Sequence, residues 1–568
     1  MRTPRLVATI LCSATAVFTL AAFVLDGGLF KKGGDTEFDQ VIAQNADAQL
    51  AEGRQTFRYD TFGDEAFWGD QLRLHDALQG ERFGGVGPGV SPRTALAVGL
   101  KVDVDALPKS VQQAIRDGRI DLDDPAVTLE FLRLNAVLGV TGFFEGPRLR
   151  AVGIQCALCH STVDNRLTTG VGRRLDGWAN RDLDVGAIVA LAPDLSPFSE
   201  LLGVPEDTVR RVLRSWGPGK FDAELVLDGK AFQPDGRSAA TLIPPAFGLA
   251  GVNLHPWTGW GSVTHWNAFV SNLEMHGQGT FYDPRLDDAA RFPIAARERF
   301  GHIANKPDLI TPKLAALHLY QLAIPAPSPP EGSFDAAAAA RGKDLFEGKA
   351  KCATCHVPPI FTEPGWNMHT PEEVGVDAFQ AERSPDRRYR TAPLKGLWTH
   401  ETGGFYHDGR FPTLLAVIDH YEDDTPLGIS LSDAEKEDLV VYLRSLGDAP
   451  VSGDGRPGNP NDGDNEDGRI GWLEREAAIR LDGANPTRGG IAVEFVLPRA
   501  ATLAAGIYDV AGRRVATLGT EARYAAGPHR LDWDGRMTNG VLAAAGRYFV
   551  RVTADGGDTW TRTVTVVP

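Results

Sequence analysis

Cysteine is scarce in this chain: five stand among 568 residues, at positions 12, 156, 159, 352 and 355. Cys12 lies in an apolar run, and the other four belong to two copies of one short pattern. No cysteine is left over for a structural disulfide unless these four pair among themselves, which excludes a small disulfide-stapled scaffold. Positive charge is also in deficit, with 58 Lys and Arg against 74 Asp and Glu and a formal net charge of −16. A chain so acidic is a poor binder of nucleic acid, and no such partner is expected. Long apolar runs are absent but for one, Leu6 to Leu25, which follows Arg2 and Arg5. A chain that crosses a membrane repeatedly is therefore excluded.

The length suits about three or four domains. The composition, 43% hydrophobic and 23% charged, is ordinary for a globular protein. Its acidic balance fits a solvated surface or docking to a basic electron-donor protein. Residues 1–30 read as an export signal, cleaved or kept as a membrane anchor at the N-terminus. In both cases the body of the protein is expected in the periplasm or cell envelope.

The repeated pattern is C-x-x-C-H, in QCALCHS (155–161) and KCATCHV (351–357). It is the attachment signature of c-type haem. Two thiols bond the two vinyl groups of one haem edge, and the next histidine turns its imidazole onto the iron. A zinc site places its second ligand pair about 15–20 residues on, whereas Cys156 and Cys352 are 196 residues apart. A thioredoxin-type C-x-x-C needs no histidine directly after it. Two covalently bound haem c groups are expected, held by Cys156, Cys159 and His160 and by Cys352, Cys355 and His356.

Around the second motif the run DAAAAARGKDLFEGKA (335–350) forms helix readily. LSDAEKEDLVVYLRSLG (431–447) is a second helix, with a capping box of Ser432 and Glu435 and Gly447 after its last turn. Residues 335–447 thus read as one cytochrome c domain. Residues 36–330 carry the first motif amid helical stretches and many proline and glycine turns, as a cytochrome c-like domain with insertions. The expected fold class is mainly α: two cytochrome c-like haem domains with insertions, then a small C-terminal β-sandwich.

These motifs, with YRTAPLKGLW (389–398) and GGFYHDGRFPTLLAVIDHY (403–421), resemble the bacterial di-haem cytochrome c peroxidase superfamily. That superfamily includes hydrogen-peroxide reductases, the di-haem enzyme that matures a tryptophylquinone cofactor, and di-haem rubber oxygenases. The resemblance implies a six-coordinate C-terminal haem that takes in electrons from a small redox-protein donor. It implies an N-terminal haem that meets hydrogen peroxide or dioxygen. The 196-residue spacing exceeds that of the peroxidases and is nearer that of the rubber oxygenases. Besides peroxide reduction, pure electron transfer and oxygenation of an organic substrate therefore stay open.

Candidate ligands opposite His356 are Met368, His369, His407, His420 and Tyr421. Pro412 suits the first turn of a helix. On that helix Tyr421 falls within about 20° of Leu414, on the apolar stripe, and His420 about 120° away. The resemblance also points to Tyr421, fourteen residues after His407. The alternative is a core tyrosine with a satisfied hydroxyl. An anionic oxygen ligand would give this haem a low potential. His407 is expected to contact a propionate or to brace its turn.

For the open face of the first haem the richest stretch is HPWTGWGSVTHWNAFVSNLEMHGQGTF (255–281). It offers His255, His265 and His276, Trp257, Trp260 and Trp266, and Glu274 as a general acid–base for O–O cleavage. Catalytic roles are expected for His265, Glu274 and His276, against the alternative of a buried aromatic core. Arg173 and Arg174 are candidates for the propionates, or belong to a solvated loop. The resemblance also suggests calcium near Thr402 and Gly404. A half-formed calcium loop begins at Asp462 or one residue later, within a polar linker, 448–484. Residues 485–568 alternate in short strands, as a β-sandwich does. They resemble the Ig-like module of flagellar hook-capping proteins and the sorting modules of secreted bacterial proteins, an anchoring or spacer domain.

Overall fold

The computed structural model describes residues 37–448, apart from 331, 364, 401 and 424. It also describes 479–567, apart from 483–486, 488, 498–500, 510–512, 525–526 and 555–558. The expected leader, the polar linker beyond Asp448 and the half-formed calcium loop lie outside the described residues. The described residues form two compact units, one up to Asp448 and one from Ile479. Among them no helix is long and apolar enough to cross a membrane.

In the first unit each motif is bracketed by a pair of crossed helices. Helix α1 (Glu37–Tyr59) packs on α2 (Leu314–Ala323) beside the first motif. Helix α3 (Ala336–Glu347) packs on α5 (Asp433–Ser445) beside the second. Both crossings are built from the same parts. A β-carbon on Gly53 would lie 2.0 Å from the Ala316 carbonyl oxygen, and one on Gly342 would lie 2.1 Å from that of Asp438. Only glycine lets the two backbones come so close. Four residues on, Phe57 meets Tyr320 at 5.6 Å between ring centroids, and Phe346 meets Tyr442 at 5.3 Å. Both phenylalanines are fully buried. Truncating either would cost roughly 3–5 kcal/mol. Cys156 packs against the first aromatic core and Cys352 against the second.

The local capping follows from the side chains. Asp335 opens α3 by accepting from the amides of Ala337 and Ala338. The Ser432–Glu435 capping box opens α5 as expected. Gly447 does not cap α5, whose C-cap is the extended Leu446. A β-carbon there would lie 2.5 Å from the Ser328 backbone, so close approach explains this glycine. Helix α4 (Leu414–Asp423) begins two residues after Pro412. Thr413 Oγ1 accepts from the Ala416 amide there, so a threonine cap starts the helix and the proline only leads into it.

The first motif sits on a single helical turn, Ala157–His160. The hairpin of Val140–Glu145 and Arg148–Ile154 leads into it, and Ser161–Val163 pairs antiparallel with Arg174–Asp176 just after it. Asp176 is fully buried and ties these parts together. It accepts from Ser161 Oγ (2.8 Å), Arg58 Nε (2.5 Å) and the Tyr320 hydroxyl (2.6 Å).

In the second unit, antiparallel strands form a three-stranded sheet, Ile479–Asp482, Ile491–Leu497 and Gly527–Trp533. A four-stranded sheet runs Arg514–Tyr524, Ala501–Tyr508, Gly546–Ala554 and Thr559–Val566. Val493, Ile507, Val550 and Val564 are fully buried in one core with Trp533. The first strand starts at Ile479, earlier than the expected boundary at 485.

Candidate functional site

Around the second motif the side chains enclose a cavity of about 430 Å³, a size suited to a small-molecule cofactor. Cys352, Cys355 and His356 line it, as do Val417, Ile418 and Tyr421 of α4 and Leu439 and Leu443 of α5. His356 Nδ1 lies 3.3 Å from the Phe361 carbonyl oxygen. That bond fixes the tautomer and leaves Nε2 as the ligand atom. Burial holds this imidazole down to about 4, so it is neutral with its lone pair available.

The five candidates for the far side separate cleanly. Tyr421 lines the cavity, and its neighbour on α4, His420, does not. His420 is buried, with Nε2 2.9 Å from the Val374 carbonyl oxygen. Met368 also lies off the cavity, against Gly259. His369 lines it but is held by Glu363 at 2.6 Å. Its bonds to the Cys355 sulfur and to Glu363 push it up to about 9. Among the described residues Cys355, Glu363 and His369 also bring three ligating atoms within 4.8 Å of one another, but thioether formation would occupy the sulfur. His407 lines the cavity, stacks on Tyr389 at 5.1 Å, and takes the Leu242 amide on its carbonyl at 2.6 Å. It thus braces the turn. Tyr406 reaches Tyr421 from the left-handed backbone region, at φ 67°.

Two arginines that sequence reasoning passed over face this cavity. Arg181 is buried, with Nε and Nη1 lacking partners, and Arg390 has a sealed, unpartnered Nη1. Burial pushes both down to about 10. Two desolvated guanidiniums with open donors suit the two propionates of one haem. Arg173 and Arg174 are placed on acidic neighbours: Arg174 lies 3.2 Å from Asp103 and Arg173 3.7 Å from Asp105.

At the first motif, His160 Nδ1 lies 3.1 Å from the Pro244 carbonyl oxygen. Burial lowers this imidazole to about 4 and raises the Cys156 and Cys159 thiols to about 12. Two neutral thiols and an imidazole with a fixed Nδ1 are the donor set that c-type haem requires. Pro244 itself lines the cavity of the second motif, so one loop touches both sites. The Leu242 carbonyl in that loop accepts from Trp257 Nε1 at 2.9 Å.

The residues of 255–281 go to different places. Glu274 is close enough for its charge to act on Cys159. Its Oε1 is sealed from solvent without a partner. Burial, with Glu224 and Asp222 nearby, holds its carboxyl protonated well above the usual range. His276 stacks on Phe67 at 3.5 Å, with Trp68 and Phe198 at its edges, and burial lowers it to about 3. His265 instead lies 3.3 Å from Asp283. Trp260 donates to that same carboxylate and Trp266 stacks on Phe269, so this part is a separate aromatic core. His255 is buried on the Val252 carbonyl. Sequence reasoning also missed Trp178, which packs against the same core as Cys156 and meets Trp398 edge-on at 5.5 Å.

The chain is 26% identical over 242 residues to the methylamine utilization protein MauG of Methylorubrum extorquens, covering 37% of this chain and 65% of that protein. It is 26% identical over 161 residues to the cytochrome-c peroxidase IdrP2 of a Pseudomonas strain, covering 22% and 43%. The chain thus resembles proteins of the di-haem cytochrome c peroxidase superfamily. The chain spans less than two thirds of either protein's own length. Residues 481–558 match the family model of the FlgD Ig-like domain. Among solved structures, hydrazine synthase of Kuenenia stuttgartiensis matches 38% of this chain and 76% of its own, at 18% identity and a TM-score of 0.23.

Proposed function

We propose that this protein is an exported di-haem c-type cytochrome of the periplasm or cell envelope that reduces hydrogen peroxide. Its two haem segments are cytochrome c-like, a reading supported by the matching helix crossings beside the two motifs. Electrons from a small redox-protein donor enter at the site of Cys352, Cys355 and His356 and pass to the site of Cys156, Cys159 and His160. Bound haem supplies the redox-active iron at each site.

The observation that carries this reading is the contrast between the two far faces. Tyr421 lines the same cavity as His356, which supports its role as the sixth ligand. Near the first motif stands Glu274, a sealed carboxylic acid with an open Oε1. Glu274 holds a proton at Oε1 and delivers it to the departing peroxide oxygen, while His276, Phe67 and Trp68 keep bulk water away. Arg181 and Arg390 neutralise the propionates of the second haem.

Spectra of each haem, ferric and ferrous, with and without peroxide or carbon monoxide, test the assignment. The His160 haem is expected to bind the added ligand and the His356 haem to stay closed. A six-coordinate His160 haem inert to peroxide in every redox state would overturn it. The 196-residue spacing supports a second reading, oxygenation of an organic substrate. Product analysis with dioxygen and candidate polymers separates the two.

A further inference from the structure

Behind Glu274 lies a buried cluster with too few cations. Asp222, Glu224 and Asp228 are each at most 8% exposed, and the single guanidinium among them is Arg383, at 1%. Arg383 binds Asp228 through Nε and Nη2, at 2.8 and 3.0 Å, and its Nη2 lies 2.9 Å from Asp222 Oδ1. Its charge is thereby shared between two carboxylates. Glu224 keeps only the side-chain amide of Gln380 on one oxygen, and its Oε2 is sealed without a partner. Glu274 Oε1 is sealed in the same way, and Glu274 lies within electrostatic reach of Glu224 and Asp222. An unpaired, desolvated carboxylate is costly, so a site of this kind holds protons instead.

We propose that Glu224 is a proton-holding positioning residue behind Glu274, and that the two glutamates store the pair of protons consumed when one peroxide is reduced. The inference rests on the peroxide-reducing reading above. Hydrogen peroxide, two electrons from the redox-protein donor and two protons give two waters. Glu274 releases its proton first, and Glu224 replaces it. Both acids regain protons from solvent between turnovers. The charged groups facing Glu224 are Arg383, Asp222, Asp228 and Glu274. Burial raises Glu224 to about 7 despite Arg383, which leaves its proton available near neutrality.

The test uses the full-length, haem-loaded protein and its Glu224→Gln and Glu224→Asp variants. Glutamine copies the shape and neutrality of the protonated acid, so the fold is expected to stay intact. Infrared spectra at neutral pH, recorded without peroxide, are expected to lose one protonated-carboxyl band in Glu224→Gln. Peroxide turnover is expected to fall about tenfold, with a displaced alkaline limb in its pH profile, and Glu224→Asp to recover part of both. An unchanged infrared band overturns the proposal. So do unchanged turnover and pH profile in Glu224→Gln while the wild type is active. A wild type inert to peroxide overturns the underlying reading instead, and the proton store falls with it.

Discussion

The two C-x-x-C-H segments share a frame and differ in what faces it. Gly53, Phe57 and Tyr320 in the first repeat the parts played by Gly342, Phe346 and Tyr442 in the second. Each proximal histidine is fixed by a backbone carbonyl, Pro244 in one case and Phe361 in the other. Beyond that the environments part. The second site is an apolar cavity with a tyrosine and two arginines that carry unpartnered buried donors. The first has a sealed glutamate whose carboxyl is raised well above its ordinary range by burial, with other buried acids behind it. In the proposed reading the frame holds a haem at each motif, and the residues around it decide whether an iron is closed for electron transfer or open for chemistry.

Four changes test that division, from the largest effect to the smallest. Replacing both Cys352 and Cys355 by serine is expected to lower covalent haem by about half and to abolish electron entry. Mass spectrometry and haem staining of the chain check this. Retention of both haems would contradict the second attachment site. Next, Glu274→Gln is expected to slow peroxide turnover by about a hundredfold while the His356 haem keeps its spectrum. Equal loss at both sites would erase the contrast.

The third change is one of pH. Glu224 releases its proton near its ordinary value of 4.5 when unfolded and near about 7 when folded. Its contribution to stability is therefore full below about 4.5 and is lost as the pH rises through about 7. The loss is on the order of a few kcal/mol. Denaturation curves across that window should show a steeper slope in the wild type than in Glu224→Gln. Smallest is Arg181→Ala, expected to destabilise the haem-loaded protein by about 1–3 kcal/mol. In the haem-free chain the same change should stabilise, since it removes an uncompensated buried charge. Thermal melts of both forms read the sign.

Much of the second site was legible in the sequence. The C-x-x-C-H pattern is local chemistry, and helical phase separated Tyr421 from His420 because one helix carries both. The capping box of α5 was legible for the same reason. The G-x-x-x-F pair, GRQTF (53–57) and GKDLF (342–346), was also there to be read. It is too short to stand out until both helices are seen crossing a tyrosine. The start of α4 was misplaced because Pro412 and Thr413 are adjacent and both suit a helix start, and only the hydrogen bond to Ala416 chooses between them.

The first site was less legible. His265, Glu274 and His276 lie within twelve residues, yet the fold sends His265 to Asp283 and Glu274 toward Cys159. A π-helical stretch at Val270–Glu274 intervenes and shifts the helical phase that would otherwise relate them. Arg181 and Arg390 carry no motif and are 209 residues apart. Nothing local distinguishes them from Arg173 and Arg174, which found carboxylates of their own.

By itself the sequence determined the two C-x-x-C-H motifs, the capping box of α5 and the alternating strands of the C-terminal module, because each depends on residues a few positions apart. Only the tertiary structure decided which arginines face the cavity, which acid stands near the first motif, and that Glu224 shares its buried setting with Arg383. Those outcomes depend on desolvation and on pairing between distant segments, which spacing along the chain does not encode.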